Sequence, residues 1–504
     1  MMLGEKLEKK LETLYRHISI NRKDEFMKLK DLEPKSVFTH FEKLTQIPRC
    51  SGNEREVSDY LKAFGEDLGL EVIQDEALNI IIKKAASKGY EDHDAVIIQG
   101  HMDIVCEKTP NCNIDFEKDP LNIEIEDGYI IAKETTLGAD NGIAVAMAMA
   151  ILEDESLKHP PLEILITTDE ERGMTGAANI DPKNLKARKL LNIDSEAEGV
   201  VTVSCAGGAR DHLFLNVSRK EQSKNALKIK VDGLMGGHSG LEIDKGRGNA
   251  NQIMGRLLYQ IFEKFDIKII NLDGGSKDNA IPRLSEAILE YDGQYEEIKK
   301  CVRAFENSMK LELGKKDPNL FIEIEKTKSN LAPITKEDTE KIISLLMLLH
   351  TGVLTMSANI EDLVESSVNM GVMHLSEDEF ELIFAPRSSV NSLKEFFKER
   401  FEIIAKLVGA KYERRNEYPA WEFQEESELR DKILESYREL TGKEMKIEAL
   451  HAGLECGLFG EILGDMDMIS IGPDMQGVHA PGEKLDIESA KRTYELVINL
   501  LERL

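Results

Sequence analysis

Between Ala95 and Asp194 three apolar runs each end in a polar cluster, and that arrangement admits few folds. The runs Ala95–Ile98, Leu162–Thr167 and Leu190–Ile193 lack a strict apolar–polar alternation, as expected of strands buried on both faces. The clusters at their ends are Gln99-Gly100-His101-Met102-Asp103, Asp169-Glu170-Glu171-Arg172-Gly173-Met174 and Asn192-Ile193-Asp194-Ser195. A fourth, Thr135-Thr136-Leu137-Gly138-Ala139-Asp140-Asn141-Gly142, opens an Ala/Met-rich segment, Ile143–Leu152, that reads as a buried helix. Strand, helix, strand, helix, strand predicts an α/β fold with a mostly parallel mixed sheet and flanking helices. The carboxyl ends of such strands border a crevice, where loops can bring one His and several carboxylates to a point. Imidazole and oxygen donors without thiolate suit Zn²⁺, Mn²⁺ or Co²⁺.

A chain of 504 residues is long enough for two or more domains. The net charge of −28 argues against nucleic acid or an anionic membrane as a partner, because both need a basic face. The six cysteines (50, 106, 112, 205, 301, 456) are scattered, and no pair is CxxC. They are expected to be reduced thiols of a cytoplasmic protein. The Lys/Glu-rich start does not read as a secretory signal. No apolar run reaches the roughly 20 residues a membrane span needs.

Residues 1–31 read as an appendage, with Leu3, Leu7, Leu11, Leu14 and Ile18 at helical spacing. A helical or a disordered extension both fit. Residues 32–207 carry the α/β texture. Residues 208–415 change to an α+β pattern, with strands over 227–231, 267–272, 285–291 and 320–325 and a hairpin over 366–387. Helices over 249–265, 295–313, 336–350 and 390–407 alternate with them. The α/β texture resumes over 416–504. The first domain is therefore expected to be discontinuous, 32–207 with 416–504, and 208–415 to be inserted into it.

His101, Asp140, Glu171, Asp194 and His479 would supply most of the ligands two cations need, with one carboxylate bridging. Glu170, beside a ligand, would be the general base. Taken singly, each has an ordinary reading. Three consecutive acids commonly form a solvated loop, and Gly-Ala-Asp-Asn-Gly commonly forms a turn. Their joint placement on one side of one sheet favours the metal site.

The same residues resemble a known family. Gly138-Ala139-Asp140-Asn141-Gly142, Asn192-Ile193-Asp194-Ser195-Glu196, Gly236-Gly237-His238-Ser239-Gly240, Asn279-Ala280-Ile281-Pro282-Arg283 and His451-Ala452-Gly453-Leu454-Glu455-Cys456-Gly457 look like blocks of the di-zinc aminoacylase/carboxypeptidase superfamily. Within it they most resemble the Xaa-His (aminoacyl-histidine) dipeptidases, over about residues 32–504. The loop after His479, Ala480-Pro481-Gly482-Glu483, departs from the Ser and Asp expected there.

The resemblance implies two Zn²⁺ per subunit, with Co²⁺ or Mn²⁺ as substitutes. His101 and Asp194 would bind one, Glu171 and His479 the other, and Asp140 would bridge them. Asp103 would orient His101, and the Asp140–Asn141 peptide would be cis. A metal-bound hydroxide, with Glu170 as base, would cleave unblocked dipeptides of broad specificity, Xaa-His included. The inserted domain would be a lid and a site of homodimerisation. It would carry His238 for the oxyanion and Asn279 and Arg387 for the substrate backbone and carboxylate. The rivals are a deacylase or aminopeptidase on N-acyl amino acids or short peptides, and a peptide-binding homologue with a degenerate site. No member of the proposed set is missing.

Overall fold

The protein is described from a computed structural model, which covers residues 28–220 and 225–504. The expected helix through Leu3 to Ile18 lies outside the described residues. The described chain forms two compact units, one of residues up to 203 with 424–447 and 459–504, the other of 204–423 with 448–458. The boundaries differ from the expected ones: 204–207, 416–423 and 448–458 pack in the second unit.

Most of an eight-stranded sheet belongs to the first unit. Its strands in chain order are β1 (Glu71–Gln74), β2 (Ile80–Lys84), β3 (Val96–His101), β4 (Leu162–Thr167), β5 (Lys189–Asn192), β6 (Val200–Cys205), β7 (Lys446–Leu450) and β8 (Asp467–Ser470). Their order across the sheet is β1-β2-β4-β3-β5-β8-β6-β7. The central four, β4, β3, β5 and β8, are parallel, and β1, β2 and β6 join antiparallel. Every residue of β3 and β4 is buried, which explains their continuous apolar character.

Helix α1 (Ala139–Glu153) packs on β3. Its residues Ile143–Leu152 are all buried, consistent with an apolar surface on every side. Helix α2 (Ile487–Leu501) instead buries one stripe, including Ile487, Tyr494, Val497 and Leu501. Among the described residues no helix is long and apolar enough to cross a membrane.

The second unit is a nine-stranded sheet whose recorded pairings are all antiparallel. Helices Ala250–Phe262, Tyr295–Leu313, Lys336–Leu348 and Asn391–Val408 build its core with it, through Leu227, Ile269, Leu257, Phe384 and Phe401. The hairpin expected at 366–387 is the pair Val364–Leu375 and Glu379–Ser388.

One expectation fails. Cys50 and Cys106 are joined in a disulfide, with Cα atoms 5.7 Å apart, while Cys112, Cys205, Cys301 and Cys456 are not disulfide-bonded. Fifty-six residues separate the pair in sequence. They meet because Cys50 bridges Ile104 in the loop that follows β3. Spacing in sequence does not encode that approach.

Candidate active site

The first unit gathers its polar clusters at the carboxyl ends of β3, β4 and β5. His101 is the last residue of β3, Glu170 and Glu171 follow β4, and Asp194 follows β5. Asp140 enters from the start of α1, and His479 from the loop after β8. His101 Nε2 lies 3.0 Å from Asp140 Oδ1 and 3.3 Å from Asp194 Oδ1. His479 Nε2 lies 3.1 Å from Asp140 Oδ2 and 2.9 Å from Glu171 Oε2. The two oxygens of Asp140 thus belong to different clusters, each with its own His and its own second carboxylate. Three triads, His101–Asp140–Asp194, Asp140–Glu171–His479 and His101–Glu170–Glu171, each bring their donor atoms within 4.8 Å of one another. Glu170 therefore stands beside both clusters while Asp140 joins them.

The backbone is shaped to allow this. The Asp140–Asn141 peptide is cis, and Asp140 and Asn141 depart from helical angles at the head of α1. The Asn141 amide donates to Ile193 O at 2.6 Å and accepts from His101 N–H at 3.2 Å, tying α1 to the ends of β3 and β5. Gly100 makes room for it: a Cβ there would overlap Asn141 Oδ1 and come within 2.9 Å of Ala144 Cβ.

Asp103 is fully buried behind His101, with its Oδ1 3.4 Å and its carbonyl 3.1 Å from His101 Nδ1. Its carboxylate also accepts from Ser51 Oγ–H at 2.7 Å and from the N–H groups of Glu170 (3.1 Å) and Glu171 (3.3 Å). It therefore orients the imidazole and the acidic loop together. Burial alone would raise its pKa, but His101 and these donors hold it below the ordinary carboxylate range.

The electrostatics describe a site short of positive charge. Burial, followed by the charges of Asp140 and Glu171, lifts Asp194 to about 6, although His101 pulls the other way. Glu196, which carries no role in the sequence reading, is lifted to about 7 by burial and by Asp140. Hydrogen bonds donated to Asp140 and Glu171 raise His479 to about 11. Burial disfavours the His101 cation, yet its carboxylate neighbours raise it well above its ordinary value. Carboxylates packed this closely call for cations. The donor set, two imidazole nitrogens and carboxylate oxygens with no thiolate, fits two divalent ions of the Zn²⁺, Mn²⁺ or Co²⁺ type.

His238, Asn279 and Arg387 belong to the second unit. His238 Nδ1 accepts from the N–H groups of Gly240 (3.2 Å) and Leu241 (3.0 Å), which leaves Nε2 as its donor. Burial, then Arg387, lowers its pKa and keeps the ring neutral. The strand Gly237–His238 pairs with Ala280–Ile281, and Asn279 O accepts from Ser239 N–H at 2.8 Å. The blocks around His238 and Asn279 are therefore one piece of structure. Arg387 is buried, donates to Tyr418 Oη at 2.8 Å, and has no partner for Nε. Register places it opposite Ser367, whose hydroxyl meets His451 Nε2 at 2.7 Å. Arg210, bonded to Asp278, adds a smaller share to the lowering of the His238 pKa. Sequence reading gave no role to His451, although it heads one of the quoted blocks, nor to Tyr418 or Arg210, which sit on strands and carry no local pattern.

The pattern of peptidase family M20/M25/M40 matches residues 97–503. The chain is 36% identical over 479 residues to the cytosol non-specific dipeptidase of Escherichia coli, covering 94% of this chain and 99% of that protein. Among solved structures, the aminoacylhistidine dipeptidase of Vibrio alginolyticus superposes with a TM-score of 0.89 at 33% identity, covering 95% of this chain and 98% of that one. Aminopeptidase PepT of Bacillus cereus shares the fold alone, at a TM-score of 0.55 and 18% identity over 94% of this chain and 98% of that one. With its metal-type donor clusters at the strand ends, the chain belongs to peptidase family M20/M25/M40, a family of metallopeptidases.

Proposed function

We propose that this chain is a cytoplasmic dipeptidase that hydrolyses unblocked dipeptides, Xaa-His among them, at a site for two Zn²⁺. The carrying observation is the division of Asp140: one oxygen faces His101, near Asp194, and the other faces His479 and Glu171. The dipeptidase names of the two full-length relatives support the substrate class.

His101, Asp194 and Asp140 would hold one ion, and His479, Glu171 and Asp140 the other. Two such ions, when bound, polarise a peptide carbonyl and acidify water at neutral pH. Glu170 takes the proton from the attacking water and delivers it to the leaving amine. Asp103 accepts from His101 Nδ1–H, which fixes the tautomer that leaves the Nε2 lone pair free to bind a cation. In the second unit, read here as the lid, the neutral Nε2–H of His238 suits the oxyanion. Arg387 and Asn279 suit the substrate's carboxylate and backbone. Phe396, Ile403 and Leu407 are exposed on helix Asn391–Val408 at spacings of one helical face, and support a homodimer through this unit. Light scattering would report twice the chain mass.

The test is product analysis on unblocked dipeptides, N-acetyl amino acids and tripeptides with zinc-loaded protein. Dipeptides cleaved to two amino acids are expected. Cleavage of only N-acetyl amino acids or tripeptides would replace the reading with a deacylase or an aminopeptidase. Cleavage of none would leave a non-catalytic binder.

A further inference from the structure

Glu483 is 2% exposed and lies four residues after His479. Its carboxylate faces four consecutive backbone N–H groups. Oε2 accepts from Leu137 at 2.7 Å and Gly138 at 3.0 Å; Oε1 accepts from Ala139 at 2.9 Å and, at the limit of range, from Asp140 at 3.5 Å. Consecutive amides that converge in this way form a concave anion cradle, made here by the left-handed turn at Gly138 (φ +68°). The chain fills the cradle with its own side chain.

The same turn is gripped from the other side. Arg49, 1% exposed, donates from Nη2 to Gly138 O at 2.7 Å and from Nη1 to Met102 O at 2.9 Å. The Gly138 residue thus has its N–H held by Glu483 and its carbonyl held by Arg49. Both glycines of the Gly-Ala-Asp-Asn-Gly block make room for that guanidinium. A Cβ on Gly138 would lie 2.9 Å from Arg49 Nη2, and one on Gly142 would overlap it. The glycine spacing of the block therefore reflects Arg49 as well as the turn.

Glu483 also fixes the other half of the site. Gly482 N–H donates to Ala132 O at 3.0 Å and Thr135 O at 3.1 Å, so the loop carrying His479 is laced to the segment that leads into Asp140. Two loops bearing donors from different parts of the sequence share one buried carboxylate.

From this geometry we propose that Glu483 and Arg49 are positioning residues for the bridging carboxylate. They lock the Leu137–Asn141 turn so that Asp140 presents one oxygen to each cluster and His479 meets the second. Neither residue touches substrate. The proposal rests on the two-cation reading of the site. Outer contacts that orient ligands commonly carry a 10–100-fold share of metal affinity.

The experiment is a zinc titration against a chromophoric chelator, with wild type, Glu483→Gln, Glu483→Ala and Arg49→Lys. Near-ultraviolet circular dichroism of the metal-free forms checks the fold. Wild type should bind two zincs. Glu483→Ala should lose about 10–100-fold in affinity for at least one, with Glu483→Gln, which keeps one acceptor oxygen, in between. The d–d bands of the cobalt-substituted variants should shift, a change that loss of stability alone would not cause. For a dipeptide substrate kcat should fall while KM stays within about twofold, since the residues orient ligands and leave substrate binding intact.

Folded Glu483→Gln and Arg49→Lys proteins that bind two zincs with wild-type affinity and cobalt spectra would overturn the proposal, even if Glu483→Ala fails to fold. Wild type binding fewer than two zincs would overturn it too, but by removing the two-cation reading on which it stands.

Discussion

At the scale of single residues, histidines divide by what surrounds them. His101 and His479 meet carboxylates and are drawn toward the cation. His451 meets burial first and the positive Arg387 second, and is pushed down to about 3 from an ordinary 6.5. As pH falls from 6.5 toward 3, the unfolded chain takes up a proton that folded His451 refuses. Its contribution to stability is therefore present above 6.5 and is lost progressively as the solution is acidified. The slope is at most one proton, about 1.4 kcal/mol per pH unit. Melting temperatures between pH 6.5 and 4 should fall more steeply for wild type than for His451→Gln. Parallel curves would contradict the assignment.

At the scale of elements, the site depends on how closely α1 can approach β3. Gly100→Ala would press a methyl group into Asn141 and Ala144. Overpacking of this kind costs about 1–3 kcal/mol. The urea midpoint of the metal-free protein should drop accordingly, and an unchanged midpoint would show that the helix has slack. The strand and helix periods made most elements legible. Ile487–Leu501 and Tyr295–Leu313 form as their apolar spacing predicts, and every polar cluster of the first unit falls beside a strand end. What stayed hidden depends on contacts distant in sequence. Arg49 and Glu483 are 434 positions apart by their numbers, 483 less 49, and show no motif individually. The Cys50–Cys106 disulfide was hidden for the same reason. Without reductant in denaturant, four of the six cysteines should react with a thiol reagent, and six with reductant. Six in both cases would restore the all-thiol expectation.

At the scale of the whole molecule, each unit carries a different kind of chemistry. The first collects carboxylates and imidazoles with too little positive charge to balance them. The second collects guanidinium and imidazole groups whose burial and mutual charge lower the imidazole pKa values. Its helical segments were legible from periodicity. The capture of 448–458 by the second unit was not, since the segment takes in the end of one element and the start of the next, and element periodicity does not mark where a unit divides. Peptide-bond cleavage here would require both the cations these clusters would hold and Glu170. The most direct measurement is metal content by mass spectrometry, paired with dipeptide hydrolysis, for wild type and Glu170→Ala. Two zincs per chain are expected in both proteins, with a loss of kcat of about 10²–10⁴-fold in the variant, as for removal of a general base. A variant that keeps wild-type kcat, or a wild type that cleaves dipeptides with no metal bound, would contradict that requirement.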